Sequence, residues 1–155
     1  MSKSSPEQRL QELGITLPLP PKPLGSYVPC VKTGPLLYVS GQLPIDEGKM
    51  IHPGLLGRDV SLEEGAHAAR IATVNALAIV KDAFGGLDVV RRVVRVAGHV
   101  AAVPTFTDYP QVVNGASDFL VDVFGERGRH ARVALGAPSL PAGACVELEI
   151  LFESR

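Results

Sequence analysis

Two side chains near the C-terminus carry chemistry suited to a small polar molecule. Arg132, in HARVAL, offers a planar guanidinium fork that can meet a carboxylate through two parallel hydrogen bonds. Glu147, in ACVELEILFE, offers a carboxylate that can orient or deprotonate a water. Both begin from short apolar strands joined by the Gly- and Pro-rich stretch GAPSLPAGA. Such strands can be neighbours, which would let the two side chains line one cleft. An ion pair bracing the strands accounts for the same residues, and pattern alone leans that way.

The remaining reactive side chains narrow the options. His52, His67, His99 and His130 are scattered, none three or four residues from another, so no metal centre is expected. Cys30 and Cys145 lack C-x-x-C spacing and read as two buried structural thiols. The arginines of ERGRHAR invite a phosphate contact, but such clusters more often form a solvated helix end. A formal net charge of -1 supplies no overall pull toward nucleic acid or an anionic membrane.

Residues 5–13 favour a short leading helix stopped at Gly14, and LPLPPKP then makes an extended connector. YVPCVKT and LLYVSGQ are β-branched and aromatic around a KTGP turn, which predicts a hairpin over 27–40 with an edge or irregular start at Pro29. The punctuated loop 44–60 has room for one short strand. Ser61-Leu62-Glu63-Glu64 is a capping box, and the aliphatic period of 3.6 continues from it to Gly85-Gly86. In VVRRVVRVAGHVAAV the period is two, with Val94, Val96, Gly98, Val100 and Ala102 on one face and Arg95, Ala97, His99, Ala101 and Val103 on the other.

Asp108 opens a second long helix that ends near Gly125, and two strands follow, near 132–135 and 144–152. On the last strand Val146, Leu148, Ile150 and Phe152 share a face, leaving Cys145, Glu147, Glu149 and Leu151 opposite. The order β-β-(β)-α-β-α-β-β predicts an α+β sandwich, a mixed sheet with two helices on one face. Ala97, Ala101, Val103 and Leu151 would then need cover from another subunit.

A length of 155 residues, 46% of them hydrophobic, suits one folded domain over 1–155, with 1–23 as an N-terminal helix and Pro-rich connector. The polar N-terminus has no apolar signal core and no run is long enough for a membrane span, so a soluble, cytoplasmic protein is expected.

LYVSGQLPID, the helix with Ala69, Arg70 and Asn75, DYPQVVN, and HARVAL followed by LPAGACVELE together resemble the YjgF-like family, also called Rid (reactive intermediate deaminase) or L-PSP endoribonuclease. The resemblance spans nearly all of 24–153. It implies a chorismate-mutase-like α+β fold, a homotrimer with clefts between subunits, and cofactor-independent hydrolysis of reactive imines or enamines to keto acids and ammonia. Within it Arg132 matches the arginine that clamps the substrate carboxylate, and Glu147 the glutamate near the attacking water. Tyr27 matches the tyrosine that follows the family's Gly-Pro, Ser40 the serine of its S-G-Q segment, and Asn114 an asparagine at the cleft. Ala134 stands where many deaminating members have cysteine, a position where backbone polar groups make the contacts.

His130 and Pro138 depart from the family's usual residue types, and the leading helix and the loop around 48–57 mark an extended member. A noncatalytic trimer that binds a small carboxylate-bearing metabolite is the alternative implied by the same arginine. An endoribonuclease is disfavoured because the sequence has no His/His/Lys constellation and no basic stripe.

Overall fold

A computed structural model describes residues 4–155. Helix α1 (Pro6–Glu12) starts at a capping box in which Ser5 and Gln8 satisfy each other's backbone N–H groups. Strands β1 (Cys30–Thr33) and β2 (Leu36–Gln42) form the expected hairpin, and a small hairpin of β3 (Ile45–Asp46) and β4 (Lys49–Met50) occupies the following loop. Helix α2 (Leu62–Phe84) begins at the Ser61/Glu64 capping box, a device worth about 1 kcal/mol. It stops at Gly85, whose φ of 78° is open to glycine without strain. Strand β5 (Val90–Ala101), helix α3 (Tyr109–Phe124), and strands β6 (Ala131–Ala137) and β7 (Val146–Ser154) complete the chain.

The five-stranded sheet has the order β1-β2-β7-β5-β6, antiparallel except for the parallel β5/β6 pair. The fold is the expected α+β arrangement, with α2 and α3 layered on one sheet face. Val146, Leu148, Ile150 and Phe152 point beneath these helices and are buried. Two close approaches set the layer's thickness. A Cβ on Gly98 of β5 would strike Val113 of α3, and one on Gly115 of α3 would strike the Ala66 carbonyl of α2.

Four details differ from the sequence expectations. First, β5 lies between β6 and β7, so the strands of Arg132 and Glu147 are not neighbours. Second, pairing shifts between Val93 and Arg95, which turns Val93 into the core and leaves Val94 half-buried at the bulge. Third, Cys145 precedes β7 and belongs to the hydrophobic core rather than the open sheet face; burial pushes its thiol up to about 11.

Fourth, Ala97 and Ala101 need no second subunit, being 3% and 1% exposed within the chain. Ala97 lies opposite Glu149, and the Glu149 carboxylate pairs with His99 Nε2 at 2.8 Å, so longer neighbours shelter the methyl. The carbonyl of Ala101 accepts from the Leu56 N–H of the crossing loop at 2.9 Å. The apolar side chains left exposed on that face are instead Val31, Tyr38 and Leu135.

Candidate active site

Glu147 faces away from the helices, in register with His99 on β5. It lines a cleft of about 550 Å³ together with residues 21–24 of the connector, Tyr27, Pro29, the 40–43 stretch of β2 and its exit, Ile45, Asn75 and Pro141. Gly41 makes this possible: a Cβ there would collide with the Glu147 carboxylate. No hydrogen-bond or ion-pair partner touches that carboxylate among the described residues. Burial raises its pKa, with nearby Glu149 adding to the rise and His99 opposing it.

The walls are pinned by hydrogen bonds that consume backbone polarity and leave apolar surface facing inward. Ser40 Oγ donates to the Val28 carbonyl at 2.7 Å, and the Ser40 N–H donates to the Pro29 carbonyl at 2.9 Å. Both bonds tie the connector's end to β2. Tyr27 Oη accepts from the Leu24 N–H at 3.1 Å, closing a tight turn. Asn75, buried on α2, donates through Nδ2 to the carbonyls of Leu43 at 3.0 Å and Ile45 at 2.9 Å. Gln42 Nε2 donates to the Ser40 carbonyl at 2.9 Å.

Arg132 lies elsewhere. It is in register with Val96, so it shares the helix face with Ala134 and Gly136, while Val133 and Leu135 take the open face. Its Nη1 donates to Asn114 Oδ1 at 2.7 Å and Ser117 Oγ at 3.2 Å, and its Nη2 to the Pro110 carbonyl at 3.3 Å. A guanidinium has five N–H groups. The Nε–H and one Nη2–H remain without a partner among the described residues, and the Nε/Nη2 side is one of the two edges by which a guanidinium forks onto a carboxylate. His130 extends the network: its Nε2 meets Ser117 Oγ at 2.9 Å and its Nδ1 the Gly128 carbonyl at 2.6 Å. Burial lowers the His130 pKa, which favours the neutral ring beside Arg132.

The sequence-derived residues thus fall into two groups. Tyr27, Ser40 and Glu147 meet at the cleft; Arg132, Asn114 and Ala134 meet at the β6/α3 edge, on the other side of the sheet. Pattern reading missed Ser117, Gly41 and the connector wall, and assigned Asn75 no task. Ser117 follows Asn114 by three residues and therefore shares its helix face, a signal that was there to find. Among the described residues no group of three potential metal ligands occurs, and no helix is long and apolar enough to cross a membrane.

The sequence profile of the YjgF/chorismate-mutase-like family, whose description carries an endoribonuclease label, matches residues 7–153. Protein TCP17 of Trypanosoma cruzi is 44% identical over 145 residues, 93% of this chain and 91% of its own. Among solved structures, Atu1372 of Agrobacterium tumefaciens, described as of unknown function, is 48% identical with a TM-score of 0.91, covering 97% of this chain and 92% of its own. A candidate endoribonuclease from Shewanella oneidensis is 36% identical with a TM-score of 0.94, covering 97% and 99% respectively.

Proposed function

The chain belongs to the YjgF/chorismate-mutase-like family, and from that premise we propose that it hydrolyses reactive 2-imino acids and their enamine tautomers to 2-keto acids and ammonia. The observation that carries this reading is Glu147. A carboxylate in the wall of a largely apolar cleft, with its proton affinity raised by burial, is a better base than one in water. Water gives a proton to Glu147 as its oxygen bonds to the imine carbon. Glu147 returns that proton to the nitrogen, which completes a carbinolamine; it then takes the hydroxyl proton and passes it to the nitrogen as the C–N bond breaks, so ammonia leaves and the carbonyl forms. The electrophile is already activated, so a positioned base that contributes about 10²- to 10⁴-fold is enough without a cofactor.

The free edge of Arg132 supports the second half of the reading, a clamp for the acid's carboxylate. Since that edge and the Glu147 cleft lie on opposite sides of one chain, a complete site requires two chains meeting head to tail. A heterologous contact whose rotation closes forms a ring, and the family resemblance supports a ring of three chains. The exposed Leu135, 51% accessible on the open face, is a natural part of the contact.

The test is a coupled assay with freshly generated 2-iminopropanoate and 2-iminobutanoate, run beside light scattering on a sizing column. Accelerated ammonia release from a particle of three chain masses is expected, and both should be lost together in Leu135→Asp. A fully active monomer would overturn the shared site. One observation favours a second reading: within a single chain Arg132 and Glu147 stand on strands that are not neighbours and on opposite faces of the sheet. A trimer that binds a carboxylate without turning it over would bind keto acids tightly and release no ammonia.

A further inference from the structure

We propose that His52 and His67 form a divalent transition-metal site that pins the loop after β4 to the start of α2, separate from the Glu147 cleft, whose lining includes neither residue. The two histidines are 15 residues apart in sequence, and the fold brings them together. His52 Nε2 lies 3.1 Å from His67 Nδ1, with ring centroids 5.3 Å apart and ring planes inclined at 65°. Two nitrogens 3.1 Å apart, each at the roughly 2.0–2.1 Å of a zinc–imidazole bond, subtend about 100° at one ion, between the square-planar and tetrahedral angles. Without an ion the facing nitrogens share a proton. When one binds, His67 carries its proton on Nε2 and both facing nitrogens give lone pairs.

The surroundings suit a cation. Glu64 Oε1 stands 4.0 Å from His52 Nδ1, the ring's far nitrogen, where a carboxylate favours the proton and leaves Nε2 free to ligate. Glu64 is itself held, its Oε2 accepting from the Ser61 N–H at 2.9 Å. A helix start alone repels a cation, but Glu63 and Glu64 in the first turn reverse the local sign, and Glu63 lies one turn before His67 on the same face. His52 is presented by unfavourable backbone. Its φ of 50° is left-handed, and bonds from the Ile51 N–H to the Pro44 carbonyl at 2.8 Å and from the Gly54 N–H to the Gly143 carbonyl at 3.0 Å hold the loop on either side. The His52 side chain is 30% exposed and His67 is exposed, so water reaches the remaining coordination positions. Two imidazoles completed by water select Zn²⁺, Ni²⁺ or Cu²⁺ over Mg²⁺ and Ca²⁺, which take oxygen donors. The ion's task is to brace the loop.

Zn²⁺ alone, titrated into the full chain by calorimetry, tests the site without any assay of turnover. One ion per chain is expected. At tenfold excess over its dissociation constant the melting temperature should rise by roughly 3–6 °C. His52→Asn and His67→Gln should each weaken binding at least tenfold and abolish the rise, since even an outer-shell partner of a metal is worth roughly 10- to 100-fold. His99→Gln should change neither. With Cu²⁺ in place of Zn²⁺, the nitrogen splitting of the electron paramagnetic resonance spectrum should count two imidazoles in the wild type and one in His67→Gln, a readout that does not depend on stability. No binding, binding that survives both substitutions, or binding lost in His99→Gln would each overturn the site.

Discussion

Arg132 and Glu147 hold their charges in opposite ways. Around Arg132 the helix α3 gathers Asn114, Ser117 and the Pro110 carbonyl, three acceptors that fix the guanidinium plane and leave one edge outward. Around Glu147 there is no partner among the described residues; an apolar wall and the bare backbone of Gly41 stand there instead, and burial raises its pKa. A cation oriented by hydrogen bonds keeps its charge and recognises; an anion deprived of solvent gains proton affinity and reacts. The difference suits a division of labour between binding and chemistry, and in the proposed reading the two halves cooperate across a contact between chains.

The most severe test of that division is Glu147→Gln, which keeps the shape and removes the proton acceptor. Turnover should fall by about 10²- to 10⁴-fold while the KM for the imine, or the affinity for a keto acid, stays within a few-fold. A parallel collapse of binding would assign Glu147 to recognition and erase the contrast.

Arg132→Lys should cost roughly ten- to a hundredfold in kcat/KM, nearly as much as Arg132→Ala, because an ammonium keeps the charge but cannot fork. The fall should appear in KM as well as kcat, as recognition requires. Wild-type kinetics in the lysine variant would remove the clamp.

Mixing the two inactive chains sharpens the comparison further. If each site draws its arginine from one chain and its glutamate from another, refolding Arg132→Ala with Glu147→Gln in equal amounts should restore activity in about a quarter of the sites. A site built within one chain would regain none.

Much of this was legible from the sequence, and the failures have one cause. The Ser61/Glu64 capping box, the stop at Gly85 and the alternating faces of β7 are local, and each formed where its pattern stood, whereas the alternation of β5 holds only beyond the bulge, from Val96 on. Strand order is not local. The 138–145 stretch looks like a turn between neighbours, yet it carries the chain past β5, so β6 ends as a parallel edge strand. There the usual polarity is reversed: Val133 and Leu135 look like core residues and face outward, while Arg132, Ala134 and Gly136 face α3. Space explains the reversal. A Cβ on Gly136 would collide with the Tyr109 ring, so only small residues fit beneath the helix start, and Arg132 reaches α3 polar groups farther along. Likewise the small size of Ala97 and Ala101 reads as an interface in sequence but is filled by neighbouring side chains in the fold.

The smallest expected effect concerns stability, and it separates the two halves without any assay of turnover. Because burial raises the Glu147 pKa above its unfolded value, the folded protein binds a proton there more readily than the unfolded chain does. Between the two pKa values stability therefore falls as pH rises, and at neutral pH the ionised carboxylate is a net cost to folding. Replacing it with an uncharged amide removes that cost. Glu147→Gln should melt at the same temperature as the wild type or slightly higher at pH 7, with the gap closing as the pH drops through the carboxylate range. Asn114→Ala should do the reverse at every pH in that range, since it strips an acceptor from a permanently charged guanidinium and lowers the melting temperature. Thermal melts of the three proteins at pH 4.5 to 7.5 read out both signs. A Glu147→Gln protein markedly less stable than wild type would mean that the carboxylate braces the sheet, as the ion-pair reading of the sequence supposed, and that its position in the cleft is structural.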